Sequence, residues 1–210
     1  MGKYVQYGCG LSAPKEWINF NVSPTLRIQK VPILGSMLKS SLSAKFPPNV
    51  KYGDIVKGLP ISDESCSGVY CSHVLEHLSL DDFRIALKNS YKILNKEGIF
   101  RLVMPDLEVL VNNYVTHKKI KNLEASIVFM KNSGMALENR PKSIGERIKS
   151  MYGNSRHQWL WDKESTIIEL EKVGFKNIRN CRFNDSKDDM FKLVESEERF
   201  LSSIALEMTK

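Results

Sequence analysis

Cysteine is scarce in this sequence, and long apolar runs are missing from it. The chain has four cysteines in 210 residues, and they show neither a CxxC pair nor a histidine at a spacing that suggests zinc. They are Cys9, Cys66, Cys71 and Cys181. This pattern favours reduced thiols and a cytoplasmic location over a disulfide scaffold. No apolar run approaches the roughly 18 residues of a membrane span, and no signal peptide is recognisable, so we expect a globular protein.

Several ligand-binding motifs are also absent. There is no GxGxxG, which weakens the case for NAD or FAD as a cofactor. There is no HExxH and no cluster of acidic residues, so no metal site is expected. These absences argue against the commonest dinucleotide and metalloprotease chemistries, and they leave the glycine turns described below as the main candidates for a ligand site.

Acidic residues are rare in two stretches of a chain whose net charge is +7. Residues 1–60 have 8 lysines and arginines against 2 acids, and residues 107–158 have 9 against 4. A basic surface suits an anionic ligand, such as a phosphorylated or nucleotide-linked molecule, and a solvated lysine-rich surface is the alternative. No basic run is interleaved with aromatic residues, which argues against a nucleic-acid partner.

Short apolar segments beside glycine or polar turns recur along the chain. They are YVQYGCG (4–10), GDIVKGLP (53–60), GVYCSHVLEHL (68–78) and GIFRLVMPD (98–106). Glycine in such a turn lets the backbone come close to a ligand. Because open α/β folds bind ligands at the carboxyl edge of their parallel strands, we expect the site at these turns. Strands are predicted at residues 4–7, 17–21, 49–52, 69–72, 99–104, 175–182 and 203–208.

Two helices have clear end signals. Ser79 is the predicted N-cap of a helix that runs to Leu94 and that Gly98 ends. Asp162 is the predicted N-cap of a helix over residues 163–173, which Gly174 ends.

Two connections have unusual lengths. Residues 11–16, which include Pro14, are all that separates the first glycine turn from the second strand, whereas a parallel crossover needs about a dozen residues or more. The helix that usually follows the first strand is therefore predicted to be missing.

Residues 24–46 are predicted to hold one irregular helix. Residues 107–158 are too long for a plain loop, and we expect a mostly helical insertion over the carboxyl edge of the sheet.

The order of these segments is that of a known family. YGCG, WINFN, GDIVKGLP, SHVLEHLS, KNSYKILNKEGIFRLVMPD and HQWLWDKESTIIELEKVGF together resemble the class I S-adenosylmethionine-dependent methyltransferases, and most closely the small type 11 branch. The resemblance runs over residues 3–182 and thins out over 107–158. It implies an α/β, Rossmann-like fold with seven mostly parallel strands in the order 3-2-1-4-5-7-6 and flanking helices. It also implies one domain over residues 1–210, in which 107–158 is a lid-like insertion.

The resemblance implies S-adenosylmethionine as the cofactor and assigns its contacts. The implied cofactor-binding residues are Gly8, Cys9, Gly10, Asn21, Asp54, Ile55, Ser72 and His73. Asn21 departs from the family, which usually has an acid there to accept hydrogen bonds from the ribose hydroxyls. An amide offers one acceptor oxygen and no charge, so weaker cofactor binding is expected. The alternatives are tight turns at Gly8 and Gly10 and a turn aspartate at Asp54.

Transfer to a hydroxyl needs a base, and three residues are candidates for it. They are His73, Asp106 and His157, and the alternative for Asp106 is that it caps the next helix. Arg156, His157 and Trp159 are candidates for binding the acceptor, and the alternative is that the tryptophans pack the insertion onto the sheet. The family's Asn-Pro-Pro-aromatic motif for adenine or glutamine amino groups is absent, as is the Pro-Cys of C5 methylation.

The resemblance and the residues together predict a methyltransferase that acts on an oxygen atom of a small-molecule or glycan acceptor, with an anionic group as one option. One alternative is a non-catalytic, nucleoside-binding relative, which Asn21 would support. Another is an RNA methyltransferase, which only the positive charge supports. Neither the identity of the acceptor nor the oligomeric state follows from these residues.

Overall fold

A seven-stranded sheet forms the centre of the protein. The computed structural model describes residues 2–30, 45–140 and 156–210. The strands are β1 (Lys3–Tyr7), β2 (Ile18–Asn21), β3 (Val50–Tyr52), β4 (Cys66–Ser72), β5 (Leu94–Pro105), β6 (Lys176–Asn180) and β7 (Ser203–Thr209). Their order is β3-β2-β1-β4-β5-β7-β6, and β7 alone runs antiparallel to its two neighbours. The predicted fold class and strand order are confirmed.

Five α-helices accompany the sheet in the described part of the chain. They are α1 (Pro24–Gln29), α2 (Leu80–Ile93), α3 (Leu107–Lys119), α4 (Ala125–Asn132) and α5 (Lys163–Val173). No helix among the described residues is long and apolar enough to cross a membrane. The predicted strand positions are correct, with ends that differ by a few residues, and the irregular helix predicted over 24–46 is the short α1. Its remaining part, residues 31–44, lies outside the described residues.

The connection from β1 to β2 contains turns and no helix, as its length predicted. Gly8 and Gly10 both have positive φ angles, of 69° and 55°, so the chain reverses tightly after β1. The backbone N–H of Cys9 donates to Phe20 O at 3.1 Å, which holds the turn against β2. The turn therefore stands at the carboxyl end of the first strand with its backbone fixed.

Helix α2 begins where the sequence predicted and ends earlier. The Ser79 side chain accepts from the backbone N–H of Asp82, and Phe83 and Leu87 on one face of the helix are fully buried. The prediction that Gly98 ends this helix is wrong, because α2 ends at Ile93 and β5 begins at once. The backbone N–H groups of residues 64 and 65 bond the last helical carbonyls, so no glycine cap is needed. Gly98 lies instead inside β5.

Helices α3 and α4 follow β5, in the first part of the predicted insertion. They contact each other through Tyr114 and Phe129, whose ring centroids are 5.6 Å apart. No residue of α3 is buried, so this helix lies over the rest of the protein rather than inside it. The part of the insertion at residues 141–155 lies outside the described residues. Helix α5 has the predicted caps: the Asp162 side chain accepts from Ser165 N, and Gly174 has a φ of 112°.

A charged side chain lies fully buried in the middle of the sheet. Arg101 on β5 has no exposed surface. It donates to Glu195 and Glu207 at 2.6 Å each, to Asp185 at 3.1 Å and to the carbonyl oxygen of Arg182 at 3.0 Å. This Arg101 cluster joins β5 and β7 to the segment between β6 and β7.

Candidate active site

The glycine turn after β1 presents backbone to one open space. Gly10 has no atom of the described residues within 4 Å of where a Cβ would stand. Gly8 is different, because a Cβ there would collide with the side chain of Val74. The Cys9 side chain packs into a buried cluster beside Leu26, and burial raises the pKa of its thiol to about 12. Only backbone atoms of Cys9 thus remain for a ligand at the turn.

The ends of β2 and β3 bring Asn21 and Asp54 to the same edge. The backbone N–H of Gly53 donates to Asn21 O at 3.2 Å, which aligns the two strand ends. The Asn21 side-chain oxygen accepts from Ser23 N at 2.8 Å, and the Asp54 carboxylate accepts from Val56 N at 3.0 Å. Each side chain thus closes a local turn and keeps a second polar atom with no side-chain hydrogen bond among the described residues.

Strand β4 ends in a residue with an unsatisfied hydroxyl. Ser72 Oγ is buried and has no hydrogen-bond partner among the described residues. His73 follows with a φ of 52°, and its backbone N–H donates to Val103 O at 2.8 Å. A buried orphan hydroxyl is uncommon in proteins, since water or a ligand usually satisfies it. The end of β4 therefore has the polar character expected of a binding site.

A buried carboxylate surrounded by imidazoles lies one turn further on. Glu76 is 1% exposed, and neither of its carboxylate oxygens has a hydrogen-bond partner among the described residues. Three ring nitrogens face its Oε1: His73 Nδ1 at 3.5 Å, His77 Nε2 at 4.0 Å and His157 Nε2 at 3.9 Å. We call these four residues the Glu76 cluster. Burial raises the pKa of Glu76 to about 7 and lowers the pKa of both His73 and His77.

Backbone carbonyls hold the three rings of the Glu76 cluster in place. His77 Nδ1 donates to Arg156 O at 3.0 Å, and His157 Nδ1 donates to Ser133 O at 2.7 Å. The third ring, His73, donates from Nε2 to the carbonyl oxygen of residue 199 at 2.9 Å. Each imidazole thus uses one nitrogen to anchor itself, and its other nitrogen faces the carboxylate.

The segment after the undescribed residues docks on the turn that contains Glu76. The backbone N–H groups of Gln158 and Trp159 both donate to Glu76 O, at 2.8 and 3.2 Å. Trp161 is buried and stacks on Phe83 with a centroid distance of 4.1 Å, whereas Trp159 is 42% exposed. Of the two tryptophans, Trp161 thus packs the segment onto α2, and Trp159 stays open to a ligand.

Asp106 lies at the end of β5 as the N-cap of α3. Its side-chain oxygen accepts from Glu108 N at 2.8 Å, and its backbone pairs with Trp161 in a parallel bridge. Asp106 also borders a pocket of about 260 Å³, together with residues such as Lys163 and Arg182. The capping alternative is therefore observed, while Asp106 remains at the edge of a cavity. It is not a member of the Glu76 cluster.

Sequence reasoning missed the Glu76 cluster as a unit. His73 and His157 were singled out separately, and the structure brings them to the same carboxylate oxygen. Glu76 and His77 lie in the LEH motif and show no sign in the sequence that they face His157, which is 80 residues further along. The only available signal was the close spacing of one acid and two histidines between residues 73 and 77.

Comparisons with known proteins agree with this architecture. The family model described as a methyltransferase domain matches residues 5–102. A solved SAM-dependent methyltransferase from Thermotoga maritima, described as a possible histamine N-methyltransferase, has a TM-score of 0.50 and 17% identity, covering 100% of this chain and 83% of that one. A SAM-dependent methyltransferase from Archaeoglobus fulgidus has a TM-score of 0.50 and 16% identity, covering 100% and 86%. At these identities the structural likeness shows the fold alone.

A search of curated proteins found no match. The methyltransferase-domain match begins in β1 and ends in β5, so it contains the glycine turn, the ends of β2 and β3, and the LEH turn. The remaining strands complete the strand order that the resemblance implied. The chain is therefore similar to the S-adenosylmethionine-dependent methyltransferases, over residues 5–102 by the family model and in its fold by the solved structures.

Proposed function

We propose that this chain is an S-adenosylmethionine-dependent methyltransferase that transfers the methyl group to a hydroxyl oxygen of a small, carbohydrate-like acceptor, with an anionic group on the acceptor as one option. The observation behind this choice is the Glu76 cluster at the carboxyl end of β4. A hydroxyl must lose its proton during transfer, so an oxygen acceptor needs a base nearby, and this cluster contains one buried carboxylate and three imidazoles. An acceptor that reacts without losing a proton would not require such groups.

The cofactor is proposed to bind along the edge from the glycine turn to the end of β4. When bound, S-adenosylmethionine supplies a methyl group that is already activated on a sulfonium, so the protein contributes mainly position. The free space beside Gly10 and the orphan hydroxyl of Ser72 fit a ligand here. The proposed contacts are Gly8, Cys9, Gly10, Asn21, Asp54, Ile55, Ser72 and His73.

The acceptor is proposed to bind between the cofactor and residues 156–161, which precede α5. Trp159 offers an exposed aromatic face, and Arg156 and His157 precede it. The candidate bases are His73, Asp106 and His157 from the sequence, to which the structure adds the buried Glu76. Residues 107–158 are proposed as a lid-like insertion within one domain over residues 1–210, and their basic composition suits an anionic acceptor.

The experiment that tests this function is a transfer assay with isotope-labelled S-adenosylmethionine. The purified protein is incubated with panels of sugars, phosphorylated sugars, amines, thiols and RNA, and the labelled product is analysed by mass spectrometry. We expect label on an oxygen atom of a sugar-like acceptor, and loss of transfer in Trp159→Ala with cofactor binding retained. Label on nitrogen, sulfur or RNA would contradict the proposed acceptor while leaving the methyltransferase assignment intact.

The cofactor edge has its own test at Gly10. A valine there would place a side chain in the proposed cofactor space, so we expect Gly10→Val to weaken binding of S-adenosylmethionine by at least about 10-fold in calorimetry. Gly58→Val is the matched control, because Gly58 also has a positive φ, of 87°, and no atom within 4 Å of an added Cβ. Equal binding by the two variants would show that the proposed pocket is wrong.

A further inference from the structure

The hydrogen-bond pattern of the Glu76 cluster determines which ring nitrogens have lone pairs. A backbone carbonyl oxygen only accepts, so the Nδ1 atoms of His77 and His157 must bear hydrogen to bond Arg156 O and Ser133 O. In a neutral imidazole the other nitrogen then has the lone pair. The Nε2 lone pairs of His77 and His157 are therefore directed at the carboxylate of Glu76. Two imidazole nitrogens and one carboxylate oxygen, all of them electron-pair donors, thus face one another.

The distances within this group are too long for hydrogen bonds and close to those of metal ligands. His77 Nε2 and His157 Nε2 lie 4.0 and 3.9 Å from Glu76 Oε1, and all three ligand atoms lie within 4.8 Å of one another. Ligand atoms about 2.1 Å from a tetrahedral ion are separated by about 3.4 Å. An ion at the centre would thus need each ligand atom to move inward by only about half an ångström.

We propose that Glu76, His77 and His157 bind a divalent first-row transition-metal ion, for which Zn²⁺ is the probe. Two imidazoles and one carboxylate suit zinc and its neighbours, whereas Mg²⁺ and Ca²⁺ prefer sites made of oxygen ligands alone. The site goes beyond the proposed acceptor chemistry, because it needs neither cofactor nor acceptor to be occupied. When the ion is bound, the lone pairs of Glu76 and His157 are used as ligands, and His73 and Asp106 remain as the candidate bases. It is a cation site in a chain whose sequence alone predicted none.

The surroundings of the three ligands have the features of a built metal site. Histidine ligands in proteins usually donate their second ring N–H to a carbonyl or carboxylate, which fixes the orientation of the ring, and both rings here do so. The His157 ring also packs against the backbone of Gly134, where an added Cβ would come within 2.5 Å of Nδ1. Glu76 is buried, and neither of its oxygens has a hydrogen-bond partner in the part of the chain that the structure describes, so an ion would supply such a partner.

The ligands come from two distant parts of the chain, and this gives the ion a structural effect. Glu76 and His77 follow β4, whereas His157 precedes α5, and the two segments are also joined by hydrogen bonds and by packing of the His77 and His157 rings. A shared ion would cross-link the two segments. Because the ion binds the folded chain and a preformed site is missing from the unfolded chain, metal binding should raise the melting temperature.

The test uses the full chain, stripped with a chelator and titrated with Zn²⁺ against a chromophoric competitor, with no cofactor or acceptor present. We expect one equivalent per chain, and an affinity lowered by at least about 100-fold in Glu76→Gln, His77→Gln and His157→Gln. His117→Gln is the matched control, because this histidine lies on α3 outside the cluster and should leave the affinity unchanged. Circular dichroism of each metal-free variant shows whether it is folded.

A second measurement keeps the proposal testable if a variant fails to fold. X-ray absorption of the zinc-loaded wild-type protein should show nitrogen and oxygen ligands with two imidazoles and no sulfur. Sulfur ligands, an absence of stoichiometric binding, or binding equally tight in the three cluster variants and in His117→Gln would overturn the site. Because none of these measurements involves methyl transfer, failure of the metal site and failure of the proposed acceptor chemistry can be told apart.

Discussion

Two clusters of buried charge lie in this protein, and they differ in how well their polar atoms are satisfied. In the Arg101 cluster, the guanidinium donates to three carboxylates and one carbonyl, at 2.6 to 3.1 Å. In the Glu76 cluster, both carboxylate oxygens lack a donor among the described residues, and the nearest imidazole nitrogens are 3.5 to 4.0 Å away. Burial is similar for Arg101 and Glu76, so exposure does not explain the difference.

The difference separates a structural cluster from a candidate ligand site. A buried ion network is tolerated when its hydrogen bonds are complete, and the Arg101 cluster needs nothing from outside the chain. An unpaired buried carboxylate destabilises the fold unless something binds it, and among residues 2–30, 45–140 and 156–210 nothing donates a hydrogen bond to Glu76. Removing a charge should therefore have opposite effects on the free energy of unfolding in the two clusters.

The largest effect is expected at Arg101. Arg101→Met removes the cation from Glu195, Glu207 and Asp185 and leaves the buried Glu195 with no ion-pair partner among the described residues, so the protein should lose about 3–5 kcal/mol of stability in urea unfolding. Arg179→Met is the control, because Arg179 contacts two of these carboxylates, Asp185 and Glu207, from a partly exposed position, and its loss should cost about 1 kcal/mol or less. Equal losses in the two variants would mean that burial of Arg101 has no special role.

The next predicted effect is a gain in stability at Glu76, opposite in sign to the loss at Arg101. A second buried glutamate, Glu195, serves as the comparison. Metal-free Glu76→Gln should be more stable than metal-free wild type by about 1–3 kcal/mol above neutral pH, because the variant no longer buries an unpaired charge. Glu195→Gln should be less stable than wild type, because Glu195 accepts from Arg101 Nε at 2.6 Å and from Asn184 N at 2.7 Å. Chemical unfolding in chelator measures both. Destabilisation by Glu76→Gln would show that the protein itself satisfies this carboxylate.

A smaller effect, on cofactor affinity, is expected at Asn21. Only the oxygen of its side chain has a hydrogen-bond partner among the described residues. Its oxygen accepts from Ser23 N, and an aspartate would keep that bond and add a charged oxygen where the amide nitrogen now lies. We expect Asn21→Asp to tighten cofactor binding by about 1 kcal/mol, the scale of a charge-assisted bond gained over a neutral one. Calorimetry with S-adenosylmethionine measures this. Unchanged or weaker binding would remove Asn21 from the proposed ribose contacts.

The smallest effect concerns an ion pair nearer the surface. Hydrogen bonds from Arg84, and then from Lys172, lower the pKa of Glu169 from 4.5 to about 2. The stability that ionised Glu169 contributes to the fold should thus be complete above the ordinary glutamate pKa of 4.5 and should disappear as the pH falls through about 2. Because both cations are substantially exposed, we expect less than about 1 kcal/mol. The measurement is the stability difference between wild type and Glu169→Gln across this range, and a constant difference would contradict the shift.

Much of the fold could be predicted from local patterns in the sequence. The glycine turn after β1, the caps of α5 and the start of α2 depend on residues within a few positions of one another, and all three are confirmed. The end of α2 could not be predicted, because its last carbonyls are bonded by Glu64 and Ser65, which are distant in sequence. Local capping signals say nothing about such partners.

From the sequence, the site could be predicted only for the residues that lie at the ends of individual strands. Residues at the ends of β1 to β4 reach one edge because the strands are parallel, and this follows from the sequence once the order is known. The meeting of Glu76 with His157 depends on how a long insertion returns, and no pattern encodes that path. The buried Arg101 did leave a signal, since an arginine within the apolar run GIFRLVMPD must have partners, but the sequence does not name them.

The bridge between Asp106 and Trp161 has a consequence for how the protein can change over evolution. Leu107 N donates to Trp161 O at 2.8 Å, so the chain leaves β5 and returns beside its own departure point before α5. Because the closure entropy of a flexible loop grows by only about 0.6 kcal/mol for each doubling of length, the intervening segment can lengthen or shorten cheaply. The segment between these two anchor points can therefore vary in length and sequence during evolution while the sheet and its core stay the same. Such variation could change which acceptor the protein binds.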